Sequence, residues 1–160
     1  MTTAIYAGSF DPITRGHEDL IRRSLAFVDR LIVAVAINTT KQPLFSVEER
    51  MAFVAVATGD DARVEVRQFK GLLVDFAHEV GATLSIRGLR AVADFEYEYQ
   101  MALMNRYLRT ELETIFMVPS IDLTYVSSSI VREVARFGGD TSGLVHPVVA
   151  KALRDRFAPR

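Results

Sequence analysis

The chain has 160 residues, 49% of them hydrophobic and 24% charged, with a formal net charge of -1 and no cysteine. That balance fits one globular domain spanning 1–160 and excludes a disordered chain. The absence of a basic excess speaks against a nucleic-acid partner, and the absence of cysteine removes disulfides, thiol catalysis and thiolate-bound zinc.

Strand-like and helix-like segments alternate. Ala4 to Ala7 is a short apolar run ending at Gly8. The segment from His17 to Val28 then places Leu20, Ile21, Leu25 and Val28 at helical spacing. Leu31 to Ile37 is continuously apolar, as expected of a strand buried on both faces. Ser46 and Glu49 form a capping-box pattern ahead of a helix, and Val64 to Phe69 alternates as a strand. A helix is expected from Leu72 to Val80, a strand from Thr83 to Ile86, and a long helix from Ala91 to Leu112. Thr114 to Val118 reads as the last strand. Ser127 to Phe137, stopped by Gly138-Gly139, and Val148 to Phe157 read as the closing helices. Five strands separated by helices predict an α/β, Rossmann-like doubly wound domain with a five-stranded parallel sheet. No basic leader with a long apolar run begins the chain, and no apolar run reaches the roughly 18 residues of a membrane span.

In such sheets ligands bind beyond the carboxyl ends of the strands, so the residues that follow each strand carry the functional information. After the first comes Gly8-Ser9-Phe10-Asp11-Pro12-Ile13-Thr14-Arg15-Gly16-His17. It is neither a Walker loop nor G-x-G-x-x-G. It still holds the parts of a phosphate site. Gly8 is expected to let the backbone turn and Gly16 to let a ligand approach, while Thr14 and His17 stand at a helix start, where free N–H groups attract anions. A Gly-Pro-rich loop with a surface histidine is the plain alternative. Lys41 follows the second strand, as either a solvated or a phosphate-binding lysine.

Arg87-Gly88-Leu89-Arg90 follows the fourth strand. Two arginines beside a glycine need an anion, either a partner carboxylate such as Asp94 or Glu98 or a bound phosphate. On the following helix Asp94, Glu98 and Asn105 share one face, and Tyr97, Met101, Met104 and Leu108 form an apolar stripe suited to core or subunit contact. Glu98 is placed to accept from a ribose or base, or to pair with an arginine. After the fifth strand, Ser127, Ser128 and Ser129 open a helix. One serine suffices as a cap, so three suggest a second anion site. His78 and His146 lack motif context and read as surface residues. The ensemble suits a polyphosphate plus a second phosphate and lacks the devices of covalent catalysis.

The segment from Gly8 to His17 resembles the first motif of the nucleotidyltransferases with a T/H-x-G-H signature, and Val126 to Arg132 resembles their second motif. Arg87 to Glu98, with Gln100-Met101 and Met104-Asn105, is similar to the corresponding segment of the phosphopantetheine adenylyltransferase family. The match runs over nearly the whole chain, the central segment being the specific part.

The resemblance implies transfer of the adenylyl group of ATP to 4'-phosphopantetheine in coenzyme A synthesis, with His17 and Lys41 stabilising the transition state. It implies that Ser9, Lys41, Leu73 and Arg87 hold the acceptor. Ser9, Phe10, His17, Gly88, Leu89, Arg90, Glu98, Leu123, Thr124, Tyr125, Val126, Ser127, Ser128 and Ser129 would hold ATP. It further implies Mg2+ without protein side-chain ligands, a homohexamer built as a dimer of trimers, and a cytoplasmic location. Ser9 stands where many members carry threonine and Leu123 where some carry an aromatic residue. The rival readings are a related transferase using CTP or nicotinamide mononucleotide, and a nucleotide-binding regulatory module without turnover.

Overall fold

The β-branched and leucine-rich runs form the interior of a parallel sheet. In the computed structural model, which describes residues 1–38, 42–59 and 61–159, its strands are β1 (Thr3–Gly8), β2 (Arg30–Ala36), β3 (Val64–Phe69), β4 (Leu84–Gly88) and β5 (Glu113–Met117). Their order is β3-β2-β1-β4-β5 and every neighbouring pair is parallel. Register pairs Tyr6 with Val33 on one side and with Ile86 on the other. The chain runs outward from β1 to β3, then crosses to β4 on the opposite side of β1. The winding therefore reverses between β1 and β4, and a crevice opens beyond their carboxyl ends.

Among the described residues four α-helices connect the strands, α1 (Arg15–Ser24), α2 (Val47–Thr58), α3 (Leu73–Glu79) and α4 (Val92–Leu108), and two follow β5, α5 (Ser128–Arg136) and α6 (Pro147–Phe157). Strand alternation divides the core in two. Tyr6, Leu31, Val33, Val35 and Ile86 join Ile21, Val54, Val131 and Leu153 in the larger cluster. Ile5, Ile32 and Ala34 face the other way, onto Val74 and Ala77 of α3 and onto Leu112. Leu31 through Val35 are all fully buried, so β2 is covered on both faces as its unbroken apolar run requires. Each such side chain contributes about 1.5–3 kcal/mol relative to exposure.

Two helices are shorter than their periodicity predicts. Helix α1 stops at Ser24, whose Oγ donates to the Leu20 carbonyl at 2.6 Å, and Val28 reaches the core through a turn instead. Helix α4 stops at Leu108 because Arg109 is extended, with φ -152°, and Leu112 packs beneath β-strand residues from the following loop. Ser46 and Glu49 form the expected reciprocal cap of α2, with contacts of 3.2 and 2.8 Å. A 3-10 turn at Ile121–Leu123 has no sequence period and was not expected. Gly138, with φ 74°, ends α5 in the left-handed conformation that glycine adopts without penalty.

Candidate active site

A cleft of about 650 Å3 lies at the carboxyl ends of β1, β2 and β4, the size of a nucleotide site. The loop after β1 forms its floor. Its left-handed residue is Phe10, with φ 47°, rather than Gly8, which completes β1. The Phe10 ring is 2% exposed and meets Tyr6 and His17 edge to face, with centroids 5.5 and 5.0 Å away. Packing of this aromatic trio offsets the backbone strain and fixes the His17 ring. Gly16 lines the cleft, and a side chain there would stand in ordinary contact, 3.5–3.9 Å from Thr14 Oγ1 and the carbonyls of Leu123 and Val126. Gly88 serves close packing, since a Cβ would lie 2.5 Å from Leu20 Cδ1.

Thr14 and His17 cap α1 reciprocally. Thr14 Oγ1 accepts from the His17 N–H at 3.4 Å, and His17 Nδ1 accepts from the Thr14 N–H at 3.0 Å. An Nδ1 that accepts leaves the ring proton on Nε2. His17 lines the cleft, and Nε2–H is the ring's remaining polar group. Burial first, and then the charges of Arg90 and Arg87, lower the His17 pKa to about 4. The ring is therefore a neutral donor at physiological pH.

Both anion partners considered for the central arginines come into play. Arg87 Nε and Nη2 donate to the two Glu98 oxygens at 2.8 and 2.7 Å, while Nη1 donates to the Ala7 carbonyl at 2.6 Å. Burial alone would lower the Arg87 pKa, but the bonded Glu98 carboxylate outweighs it and the net direction is upward. Arg90 lies 3.4 Å from Asp94 and remains 44% exposed. All four residues line the cleft, so the carboxylates hold the arginines at its wall.

The three serines divide their duties. Ser127 Oγ caps α5 by accepting from the Ile130 N–H at 3.2 Å. Ser128 Oγ donates to the Pro12 carbonyl at 2.8 Å, tying the second motif to the first. Ser129 Oγ accepts from Arg132 at 3.3 Å. All three line the cleft, with Leu123, Val126 and Ser9. Thr124, Tyr125 and Leu89 do not: the Thr124 hydroxyl donates to the Ser120 carbonyl, Tyr125 is exposed, and the Leu89 N–H donates to the Met117 carbonyl. Lys41 lies outside the described residues.

A smaller, mainly apolar chamber of about 200 Å3 adjoins the cleft and shares Ser9, Arg87 and Glu98 with it. Leu73, Tyr97 and Met101 line it together with the shared Arg87. Sequence reasoning missed Asp11, whose buried carboxylate accepts from the Leu44 and Phe45 N–H groups at 2.8 and 3.0 Å. It also missed Arg50 and Arg136, which line the cleft, and gave no role to Arg132, whose Nη1 donates to the Asp11 carbonyl at 2.6 Å. Arg132 was visible inside the second motif; Arg50 and Arg136 carry no local signal beyond their place on a helix.

The cytidylyltransferase-like family model matches residues 5–134. The phosphopantetheine adenylyltransferase of Thiobacillus denitrificans is 51% identical over 156 residues, covering 98% of either chain. That of Geotalea daltonii is 53% identical over 154 residues, covering 96% of either chain. The structure of Plasmodium falciparum nicotinic acid mononucleotide adenylyltransferase superposes with a TM-score of 0.70 at 16% identity, covering 96% of this chain and 95% of its own, a likeness of fold alone. The chain is a cytidylyltransferase-like nucleotidyltransferase and belongs to the phosphopantetheine adenylyltransferase family.

Proposed function

We propose that the chain transfers the adenylyl group of ATP to 4'-phosphopantetheine, giving dephospho-coenzyme A and pyrophosphate in coenzyme A synthesis. The observation that carries the reading is His17: a neutral ring, its Nδ1 taken up by the Thr14 N–H, lining a nucleotide-sized cleft with arginines and two helix N-termini. Such a ring is a donor and not a base. The proposed acceptor needs no base, since a phosphate monoester has a second pKa of about 6 and is largely dianionic at neutral pH. One of its oxygens attacks the α-phosphorus of ATP, the new P–O bond forms, and the bond to the pyrophosphate oxygen breaks with its electron pair.

The protein positions the reactants and stabilises shifting charge. His17 and Lys41 are assigned to α-phosphate oxygens. Arg90, Ser9 and the N-terminus of α5, with Ser127, Ser128 and Ser129, are assigned to the remaining phosphates. Phe10, Gly88, Glu98, Leu123 and Val126, which line the cleft, are assigned to the rest of ATP, with their chain neighbours Leu89, Thr124 and Tyr125, which do not line it, beside them. Arg87 and Ser9 would hold the acceptor phosphate, with the acceptor's arm in the apolar chamber against Leu73. Among the described residues no group of three or more His, Asp or Glu side chains gathers to hold a metal. Magnesium is accordingly proposed to travel with the nucleotide phosphates and water, and no step of the transfer is assigned to it.

A hexamer of two trimers is proposed from the exposed apolar face of α4, where Tyr97, Leu103, Met104 and Tyr107 are 62%, 51%, 52% and 83% exposed. A cytoplasmic location is proposed from the substrates; no helix among the described residues is long and apolar enough to cross a membrane. The deciding experiment is pyrophosphate release from ATP or CTP, with 4'-phosphopantetheine or nicotinamide mononucleotide as acceptor. Turnover with ATP and 4'-phosphopantetheine supports the reading; turnover with only another pair contradicts it.

A further inference from the structure

Helix α2 opens on its capping box, and the next residue, Arg50, turns inward. Among the described residues it is the only buried lysine or arginine, at 4% exposure. Backbone alone holds it. Nε donates to the Phe45 carbonyl at 3.2 Å, and Nη1 donates to the carbonyls of Ser9 and Ala36 at 2.6 and 3.0 Å. Those carbonyls belong to the turn before α2, the loop after β1 and the end of β2. One side chain thus pins the floor of the cleft beside Ser9.

Carbonyl dipoles do not neutralise a full charge. Arg87, Arg90 and Arg132 each have a carboxylate within ion-pair distance. Arg50 has none among the described residues, and it stands in the first turn of a helix, at the positive end of the macrodipole. A cation placed there without an anion is costly. Three of its five N–H groups are bonded among the described residues, leaving the two on Nη2. The enclosed side-chain atoms without a partner are Glu18 Oε1, Ser85 Oγ and Arg109 Nε, so Nη2 is not sealed in. Arg50 lines the cleft, and Nη2 carries its N–H groups not bonded to described residues.

We infer that Arg50 is a further phosphate-binding residue: Nη2 donates to a phosphate oxygen of a bound substrate while Nε and Nη1 hold Ser9 and the strand ends in place. The ligand chemistry is a phosphate oxygen beside Ser9, from the nucleotide or from the acceptor; only that choice of source rests on the adenylyl-transfer reading.

Calorimetry of inorganic pyrophosphate and of 4'-phosphopantetheine, with the unchanged protein, Arg50→Met and Arg50→Lys, tests this. Arg50→Met should weaken one of the two by about ten- to a hundredfold, the range of a charge-assisted contact. Loss for pyrophosphate assigns Arg50 to the nucleotide; loss for 4'-phosphopantetheine assigns it to the acceptor. Arg50→Lys, which keeps charge without the planar fork, should recover part of the loss. A folded Arg50→Met, by circular dichroism, with both affinities unchanged overturns the inference. Should that variant not fold, structures of the unchanged protein with each ligand decide. Nη2 about 2.7–3.2 Å from a phosphate oxygen supports it, and Nη2 bound only to protein or water in both overturns it. Turnover by the unchanged protein beside undiminished binding by Arg50→Met defeats the Arg50 assignment alone. No turnover beside weakened pyrophosphate binding defeats the adenylyl-transfer reading alone.

Discussion

Arg87 and Glu98 meet in a two-point ion pair, at 2.8 and 2.7 Å, on the boundary shared by the main cleft and the apolar chamber. With Nη1 on the Ala7 carbonyl, the guanidinium is held in one orientation before any ligand arrives. Two of its N–H groups remain for a phosphate. Preorganisation of this kind reduces what binding must spend on ordering.

Arg87→Ala should therefore weaken 4'-phosphopantetheine much more than ATP. A charge-assisted contact contributes roughly 1.5–3 kcal/mol, or about ten- to a hundredfold in affinity. Calorimetry with each substrate checks this, and equal losses for both would make Arg87 a structural residue.

Asp11 should matter for stability. Its carboxylate satisfies two backbone N–H groups beside the cleft and is 6% exposed. Asp11→Ala leaves both donors without that partner and should destabilise the fold by about 2–4 kcal/mol. Urea denaturation reads the effect; a change below about 0.5 kcal/mol, typical of a surface site, would contradict it.

Legibility followed local pattern. The β2 run and the Ser46–Glu49 cap were readable because each state is dictated by its own residues. The ends of α1 and α4 were not, since Val28 and Leu112 are apolar at helical spacing yet reach the core from turns. Residues that follow strands were found because topology brings strand ends together. Arg50 was missed because nothing local shows that an arginine after a cap points inward. Gly8 was misread because a glycine after an apolar run need not turn the chain; it completes β1, where a side chain would press on the Phe10 ring at 3.3 Å.

Helix α4 predicts assembly. Light scattering should give a mass several times the monomer's 17.9 kDa. Charge on the exposed stripe, as in Met104→Glu, should dissociate the assembly. A monodisperse wild-type monomer at micromolar concentration would remove the proposal.

The pH dependence of His17 has a definite sign. Its pKa is lowered from 6.5 to about 4 in the folded protein. Between those values the unfolded chain binds the extra proton, so stability falls as pH falls through this window and levels off below it. The contribution is at most about 3 kcal/mol. His17→Gln lacks it, so the wild-type stability relative to His17→Gln should decline from pH 6.5 to 4. A constant difference would show that the ring titrates normally.

The central claim is that His17 donates to the transferring phosphoryl group and abstracts nothing. Removing one preorganised donor typically lowers kcat by about 10²–10³, roughly 2.7–4 kcal/mol. His17→Gln should keep part of the activity, because an amide donates but is no base near neutral pH. The most direct measurement is pyrophosphate release by His17→Ala with ATP and 4'-phosphopantetheine, beside its ATP affinity. The account predicts a folded protein that binds ATP within about tenfold of wild type and turns over about 10²–10³ times more slowly. Near-wild-type kcat would contradict it and remove His17 from the transfer step.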